Sequence, residues 1–235
     1  MQAFWQGAGT IVLCIAPMVV VIFVIRKLFR IPDELFRKVL HFILMIAYIP
    51  VVFVYDVWWH TALFGLLLLA VAYPLLTLLG RIPTFTTFVN ERKKGEYRDS
   101  CILALCMMAV AAGICWGWLG EPYLVLACMY AWGVGDGFAA LVGKRFGKHK
   151  LRLKWADPHK SVEGSTAMFV FSTLAVLAVL LARGGMGLGQ CLLVAAAGSG
   201  VSTLVEMCTR GGYDTITCPT AAMAVILPLM HLMGG

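Results

Sequence analysis

Eight long apolar runs, separated by short polar connections, limit this chain more than any other feature of it. They fall near residues 8–25, 39–56, 58–80, 100–119, 122–143, 162–182, 188–207 and 217–233. A helix needs roughly 20 apolar residues to cross a hydrocarbon core, and each run is close to that length. Within 39–80 the stretch Asp56-Val-Trp-Trp-His60 reads as an interfacial turn with aromatic anchors, so two spans lie there rather than one. Only 13% of the 235 residues are charged and 61% are hydrophobic. That is about half the charge of a soluble domain, too little to cover a water-exposed surface. No run alternates with period two, which argues against a barrel of strands. The expected fold is all-α: a polytopic transmembrane helix bundle of about eight spans.

The basic residues orient that bundle. Of the nineteen Lys and Arg, eighteen fall in the first, third, fifth and seventh connections, and only Arg183 falls on the other side. Cytoplasmic loops are the ones that carry such an excess, so both termini are expected to be extracytoplasmic. The chain then sits in the cell membrane as a multi-pass protein with a cationic cytoplasmic face, suited to lipid headgroups and nucleotide phosphates. Residues 1–8 carry no basic side chain, and positive charge follows the first apolar run, so no cleavable signal is expected. The eight cysteines form no Cys-x-x-Cys pair and no zinc spacing, and read as small apolar residues. Repeats and low-complexity segments are absent, and residues 1–235 read as one integral-membrane domain.

Four stretches bring polar chemistry into this apolar background. Arg37-Lys-Val-Leu-His41 opens the second span, with Arg37, Lys38 and His41 at helical spacings that share one side. Gly133-Val-Gly-Asp-Gly-Phe-Ala-Ala-Leu-Val-Gly143 sets Asp136 between Gly135 and Gly137 inside a span. Gly133, Gly137 and Ala140 form the small-residue pattern that lets helices approach closely. Packing does not account for Asp136, whose placement there costs roughly 2.5–3.5 kcal/mol and calls for a metal ion or a cation. The stretch is not a P-loop: Gly137 to Gly143-Lys144 is one residue too long, and Arg145 stands where Ser or Thr is required.

A basic connection follows, with Lys144, Arg145, Lys148, Lys150, Arg152 and Lys154, and leads to Asp157-Pro-His-Lys-Ser-Val-Glu-Gly-Ser165. Asp157 as cap and Pro158 in the first turn predict a helix start here, and a helix N-terminus attracts phosphate. Lys160 and Ser161 add a charge and a hydroxyl. Glu163 adds a carboxylate suited to a divalent ion such as Mg²⁺, which takes one or two carboxylates plus substrate oxygens. Further on, Glu206 and Arg210 stand four apart and can pair, and Gly211-Gly-Tyr-Asp214 supplies a turn and another acid. The run Asn90-Glu-Arg-Lys-Lys-Gly-Glu96 reads as a solvated loop in which Gly95 and Glu96 provide a turn and an acid.

Together these residues resemble the CTP-dependent lipid-alcohol kinases: dolichol kinase, phytol kinase and the CTP-using diacylglycerol kinase. The patches Arg37-Lys-x-x-His41, Gly135-Asp-Gly-x-Ala-Ala-x-x-Gly143, Lys160-Ser-x-Glu-Gly-Ser165 and Gly212-Tyr-Asp-x-x-x-x-Pro219 match in order across residues 37–220. The middle pair also looks like the phosphatidate cytidylyltransferases, whose C-terminal His-Gly-Gly, Asp-Arg and Asp signature is absent. One departure from the kinases is Thr215, where they usually carry Asn.

The resemblance implies a catalytic domain that transfers the γ-phosphoryl of CTP to a membrane lipid alcohol (a polyprenol, a phytol-like alcohol or diacylglycerol) at the cytoplasmic face. It implies Asp136, Lys160, Glu163 and Asp214 as catalytic residues, with Asp136, Glu163 and Asp214 as ligands of Mg²⁺. Asp214 is either a second metal ligand or the acceptor of the hydroxyl proton. Arg37, Lys38, His41, Gly135, Gly137, Lys144, Lys148, Lys160, Ser161 and Ser165 fall on the nucleotide and phosphate side. The partners are then CTP, the lipid alcohol and the bilayer, with no nucleic acid; oligomeric state is not legible. Cytidylyl transfer to phosphatidate is the alternative. An ion-coupled transporter fits less well, because Asp136, Glu163, Glu206 and Asp214 all lie near one face instead of through the membrane depth.

Overall fold

The computed structural model describes residues 1–29, 31–89, 95–151 and 156–234. Arg30, the Asn90–Lys94 part of the mixed-charge run, and Arg152 and Lys154 of the basic connection lie outside the described residues. Helices run α1 (Gln2–Leu28), α2 (Asp33–Phe53), α3 (Trp58–Leu79), α4 (Pro83–Val89), α5 (Glu96–Ala111), α6 (Pro122–Phe146), α7 (Val162–Arg183), α8 (Leu188–Cys208) and α9 (Asp214–Leu232). A π-helical segment, Ala112–Trp118, continues α5. Among the described residues eight helices are long and apolar enough to cross a membrane, counting α5 with its π-helical continuation as one, and no strand forms. The eight expected spans are all present. Several reach beyond their apolar runs, α1 from Gln2 and α5 from Glu96, because a helical ladder continues into polar residues at the ends of a span.

Boundaries follow local chemistry. Asp33 and Glu34 occupy the first turn of α2, where the helix dipole favours acids. Pro122 opens α6 at a position where no N–H is needed, and Lys144 and Arg145 close it. At Gly95 a positive φ of 82° makes the turn into α5, with Glu96 in its first turn, as the sequence suggested. All eight cysteines are free thiols; Cys115, Cys128, Cys191 and Cys218 are buried, whereas Cys14 and Cys208 are exposed.

The chain divides into two compact units, Met1–Gly117 and Trp118–Gly235. In the first, α1 packs on α2 and α3 packs on α5. Ile22, Phe36 and Ile43 form a buried cluster between α1 and α2. Arg26 lies over the Phe36 ring and binds both Ile31 O and the Asp33 carboxylate. Arg37 joins α2 to α5, donating to Glu34 at 2.7 Å and to Glu96 at 2.8 Å.

In the second unit α6 touches all three of its neighbours, α7, α8 and α9. The α6–α7 seam is antiparallel and runs along Gly135, Ala139 and Gly143 on one side and Gly164, Met168 and Ser172 on the other. A Cβ at Gly135 would stand 2.1 Å from Ser172 Oγ and 2.8 Å from Met168 Cγ, and Gly143 Cα lies 3.3 Å from the place of a Cβ at Gly164. Both rows are spaced by four, the ridge geometry of closely packed helices. The α6–α7 seam uses a row one ridge away from the Gly133, Gly137 and Ala140 row singled out in the sequence, of which Gly133 and Gly137 are also buried. At the same seam Ser172 and Ser202 both donate to Ala131 O, each at 2.9 Å, tying α6 to α7 and α8.

Candidate active site

The site lies in the second unit, where the start of α7, the end of α8 and the start of α9 come together beside the C-terminal half of α6. Between α6 and α7 the chain turns back on itself: Leu151 N donates to Lys160 O at 3.1 Å and Val162 N to His149 O at 2.9 Å. Gly147 permits the turn, since a Cβ there would meet Gly143 O at 2.2 Å and Ser161 Oγ at 2.6 Å.

Helix α7 starts at Val162, capped by Ser161, whose Oγ accepts from Gly164 N at 3.2 Å. This corrects the expected start at Asp157 and Pro158. Asp157 instead accepts from His159 N at 2.9 Å in a tight turn, and its own N–H donates to Met207 O at 2.9 Å. A local hydroxyl cap and a tie to α8 displace the helix by one turn.

Glu163 stands in the first turn of α7, and its carboxylate is bound by the N–H groups of Lys148 (3.2 Å) and His149 (3.1 Å) and by His149 Nδ1 (2.7 Å). It therefore anchors the basic connection to the helix. Lys144 and Lys148 are exposed, and Lys150 Nζ donates back to His159 O at 3.0 Å.

Lys160 turns the other way. Its ammonium lies 2.7 Å from Glu206 Oε1 and also donates to Glu206 O. Glu206 is almost wholly buried, with a side chain 9% exposed against 21% for Lys160. Asp136 and Asp214 both lie within electrostatic reach of it. The suggested pairing of Glu206 with Arg210 does not form: α8 ends at Cys208, Thr209 is extended, and the i,i+4 geometry is lost. Arg210 donates instead to Ala156 O at 3.4 Å.

Asp214, the first residue of α9, accepts from Trp132 Nε1 at 3.2 Å, and Trp132 is one turn before Asp136 on α6. Gly135 and Gly137 are buried on either side of Asp136. The fold thus gathers Asp136, Lys160 and Asp214, which the sequence singled out, with Glu206 and Trp132, which were not in the expected site. Glu206 carried a signal, an acid within a span, obscured by a neighbouring Arg. Trp132 carried none.

Ser165, one turn beyond Ser161, is buried, and its Oγ has no hydrogen-bond partner among the described residues. A buried hydroxyl in that condition marks a place where a further polar group fits. Arg37, Lys38 and His41 belong to the first unit; Arg37 is held by its two carboxylates and Lys38 is buried.

Among the described residues no three His, Cys, Asp or Glu side chains form a metal-holding cluster. Asp136 and Asp214 come from adjoining helices, and Mg²⁺ is ordinarily held by one or two carboxylates with phosphate oxygens and water completing its shell. This donor set suits a cation that arrives with a polyphosphate and does not suit one held by protein groups alone.

The sequence pattern of the cytidylyltransferase family matches residues 2–234, so the chain belongs to that family. It is a multi-pass membrane member, with eight helices among the described residues long and apolar enough to cross a bilayer. Among known proteins it is similar to the probable phytol kinase 1, chloroplastic, of Glycine max, at 36% identity over 123 residues. That match covers 48% of this chain and 39% of the relative, so less than half of the relative's length is represented. No solved structure matches.

Proposed function

We propose that this protein transfers the γ-phosphoryl group of CTP to the hydroxyl of a long-chain lipid alcohol at the cytoplasmic face of the membrane. The observation that carries the reading is the gathering of Asp136, from within α6, with Lys160, Glu206 and Asp214, from the start of α7, the end of α8 and the start of α9, in a chain of this family. The similarity to the soybean protein, named as a probable phytol kinase, supports a hydroxyl acceptor.

Phosphoryl transfer needs little covalent help from protein; it is catalysed by positioning and by neutralising charge. The alcohol oxygen forms a bond to the γ-phosphorus, the bond from that phosphorus to the β,γ-bridging oxygen breaks, and CDP leaves. The hydroxyl proton passes to the Asp214 carboxylate. Lys160 shares its ammonium between Glu206 and the phosphate oxygens. Ser161 keeps its hydroxyl hydrogen for a further acceptor, and Ser165 offers a hydroxyl one turn deeper. Asp136 would hold the Mg²⁺ that enters with the nucleotide, and that cation would supply charge neutralisation on the polyphosphate. Glu163 keeps the basic connection folded on the start of α7. The apolar bundle admits the lipid tail from the side.

Cytidylyl transfer to phosphatidate is the second reading, favoured by the description of the matched family. Labelled CTP separates the two. With purified protein in lipid vesicles, γ-label entering a lipid alcohol is the expected result. α-Label entering phosphatidate would replace the kinase reading with the cytidylyltransferase one, and no label in any lipid would sink both. Because no cluster of His, Cys, Asp and Glu among the described residues would cage a cation alone, Mg²⁺ by itself should leave the melting temperature unchanged, whereas Mg²⁺ with CTP should raise it. EDTA should remove that rise reversibly.

A further inference from the structure

We propose that Trp132 is a positioning residue: its indole N–H holds the carboxylate of Asp214 in its reactive orientation. The inference rests on the kinase reading above for the role of Asp214.

Trp132 is 3% exposed, inside α6 and one turn before Asp136, and Nε1 stands 3.2 Å from Asp214 Oδ2. An indole N–H in an apolar interior requires an acceptor, and this one takes a carboxylate on a different helix. The reason such a hold is needed lies in the chain before Asp214. Gly211 and Gly212 both take left-handed backbone, with φ of 72° and 87°, and, lacking side chains, add no side-chain contact to brace the segment entering α9. Thr209 and Thr217 tie the end of α8 to the first turn of α9 through their hydroxyls at 3.1 Å. The bond from Trp132 reaches the carboxylate itself.

Proton transfer from the alcohol requires an Asp214 oxygen within hydrogen-bond reach of the hydroxyl as the oxygen–phosphorus bond forms. A carboxylate fixed at one oxygen presents the other in a defined direction. Trp132 touches neither substrate in this scheme; it acts through Asp214.

Trp132→Phe keeps a large aromatic side chain and removes the N–H, so a role in packing alone would survive it. The expected result is a fall in kcat of about tenfold or more, as for other groups that orient a catalytic side chain. KM for CTP should stay within about twofold, since nucleotide binding is not what the bond serves. Adding Trp132→Phe to Asp214→Asn should slow the enzyme no further than Asp214→Asn alone. A second readout needs no substrate. In ¹⁵N-labelled protein the indole N–H resonance of Trp132, assigned by its loss in Trp132→Phe, should shift in Asp214→Leu and in Asp214→Ala. Wild-type kcat in Trp132→Phe, a raised KM with unchanged kcat, or a resonance indifferent to both Asp214 variants would each overturn the proposal. If the wild-type protein transfers no γ-label, the functional reading fails; the resonance then still decides whether Trp132 holds Asp214.

Discussion

Asp136 places a carboxylate inside a transmembrane helix, at a cost of roughly 2.5–3.5 kcal/mol that packing does not offset. Asp136→Asn should therefore leave thermal stability unchanged or raised while γ-phosphoryl transfer falls to background. Loss of both together would make the acid structural. Glu206 is different in kind, because it is the counter-charge of Lys160. Breaking a buried pair costs about 3–5 kcal/mol when no other partner is near. Here Asp136 and Asp214 act on the same region, so Glu206→Gln should cost only about 1–3 kcal/mol in detergent unfolding. Lys160→Met added to it should recover part of that loss, because the stranded ammonium is gone.

At the scale of elements the second unit is closed at both ends by different means. Its α6–α7 seam depends on the absence of a side chain at Gly135. Gly135→Ala drives a methyl group into Ser172 Oγ and Met168 and disturbs the bond from Ser172 to Ala131 O, for an expected loss of about 1–3 kcal/mol. Gly135→Ala with Ser172→Ala should be less unstable than Gly135→Ala alone, which thermal melting would read. At the far end Arg183 binds both oxygens of Glu121 at 2.8 Å, joining the last turn of α7 to the residue before α6. The hydrogen bond from Arg183 holds the Glu121 carboxyl below its usual value of 4.5. A group lowered on folding stabilises the fold above its unfolded value and loses that contribution as pH falls through the folded one. Melting temperature should thus fall on acidification below about pH 4.5, and Arg183→Gln should flatten that part of the profile.

For the whole molecule, orientation rests on the distribution of Lys and Arg. In a cysteine-free background, Lys148→Cys should react with a membrane-impermeant thiol reagent only from the cytoplasmic side, and Met186→Cys only from the opposite side. The reverse pattern would move the site to the other face. Many large apolar side chains are exposed on the described helices, as a chain bathed in lipid requires.

Span number and the ends of most helices were legible because crossing a bilayer forces length and apolarity into contiguous sequence. Asp136, Lys160 and Asp214 were legible for a related reason: an ionisable group in or beside such a run stands out. What contiguous sequence does not encode is which side chain faces which. The start of α7 moved from Asp157 to Val162 because Ser161 and a contact with Met207 outcompete the local Asp-Pro signal. Glu163 went to the backbone of the basic connection, and Glu206 left Arg210 for Lys160, because a helix end and a turned-back loop set those distances. Trp132 gave no sign at all, since an aromatic residue in a span looks like packing until a neighbouring helix brings an acid to its N–H. The sequence alone determined the bundle and the charged groups available to it; the tertiary structure decided their pairing, because partners 46 and 82 residues apart meet only when the helices have packed.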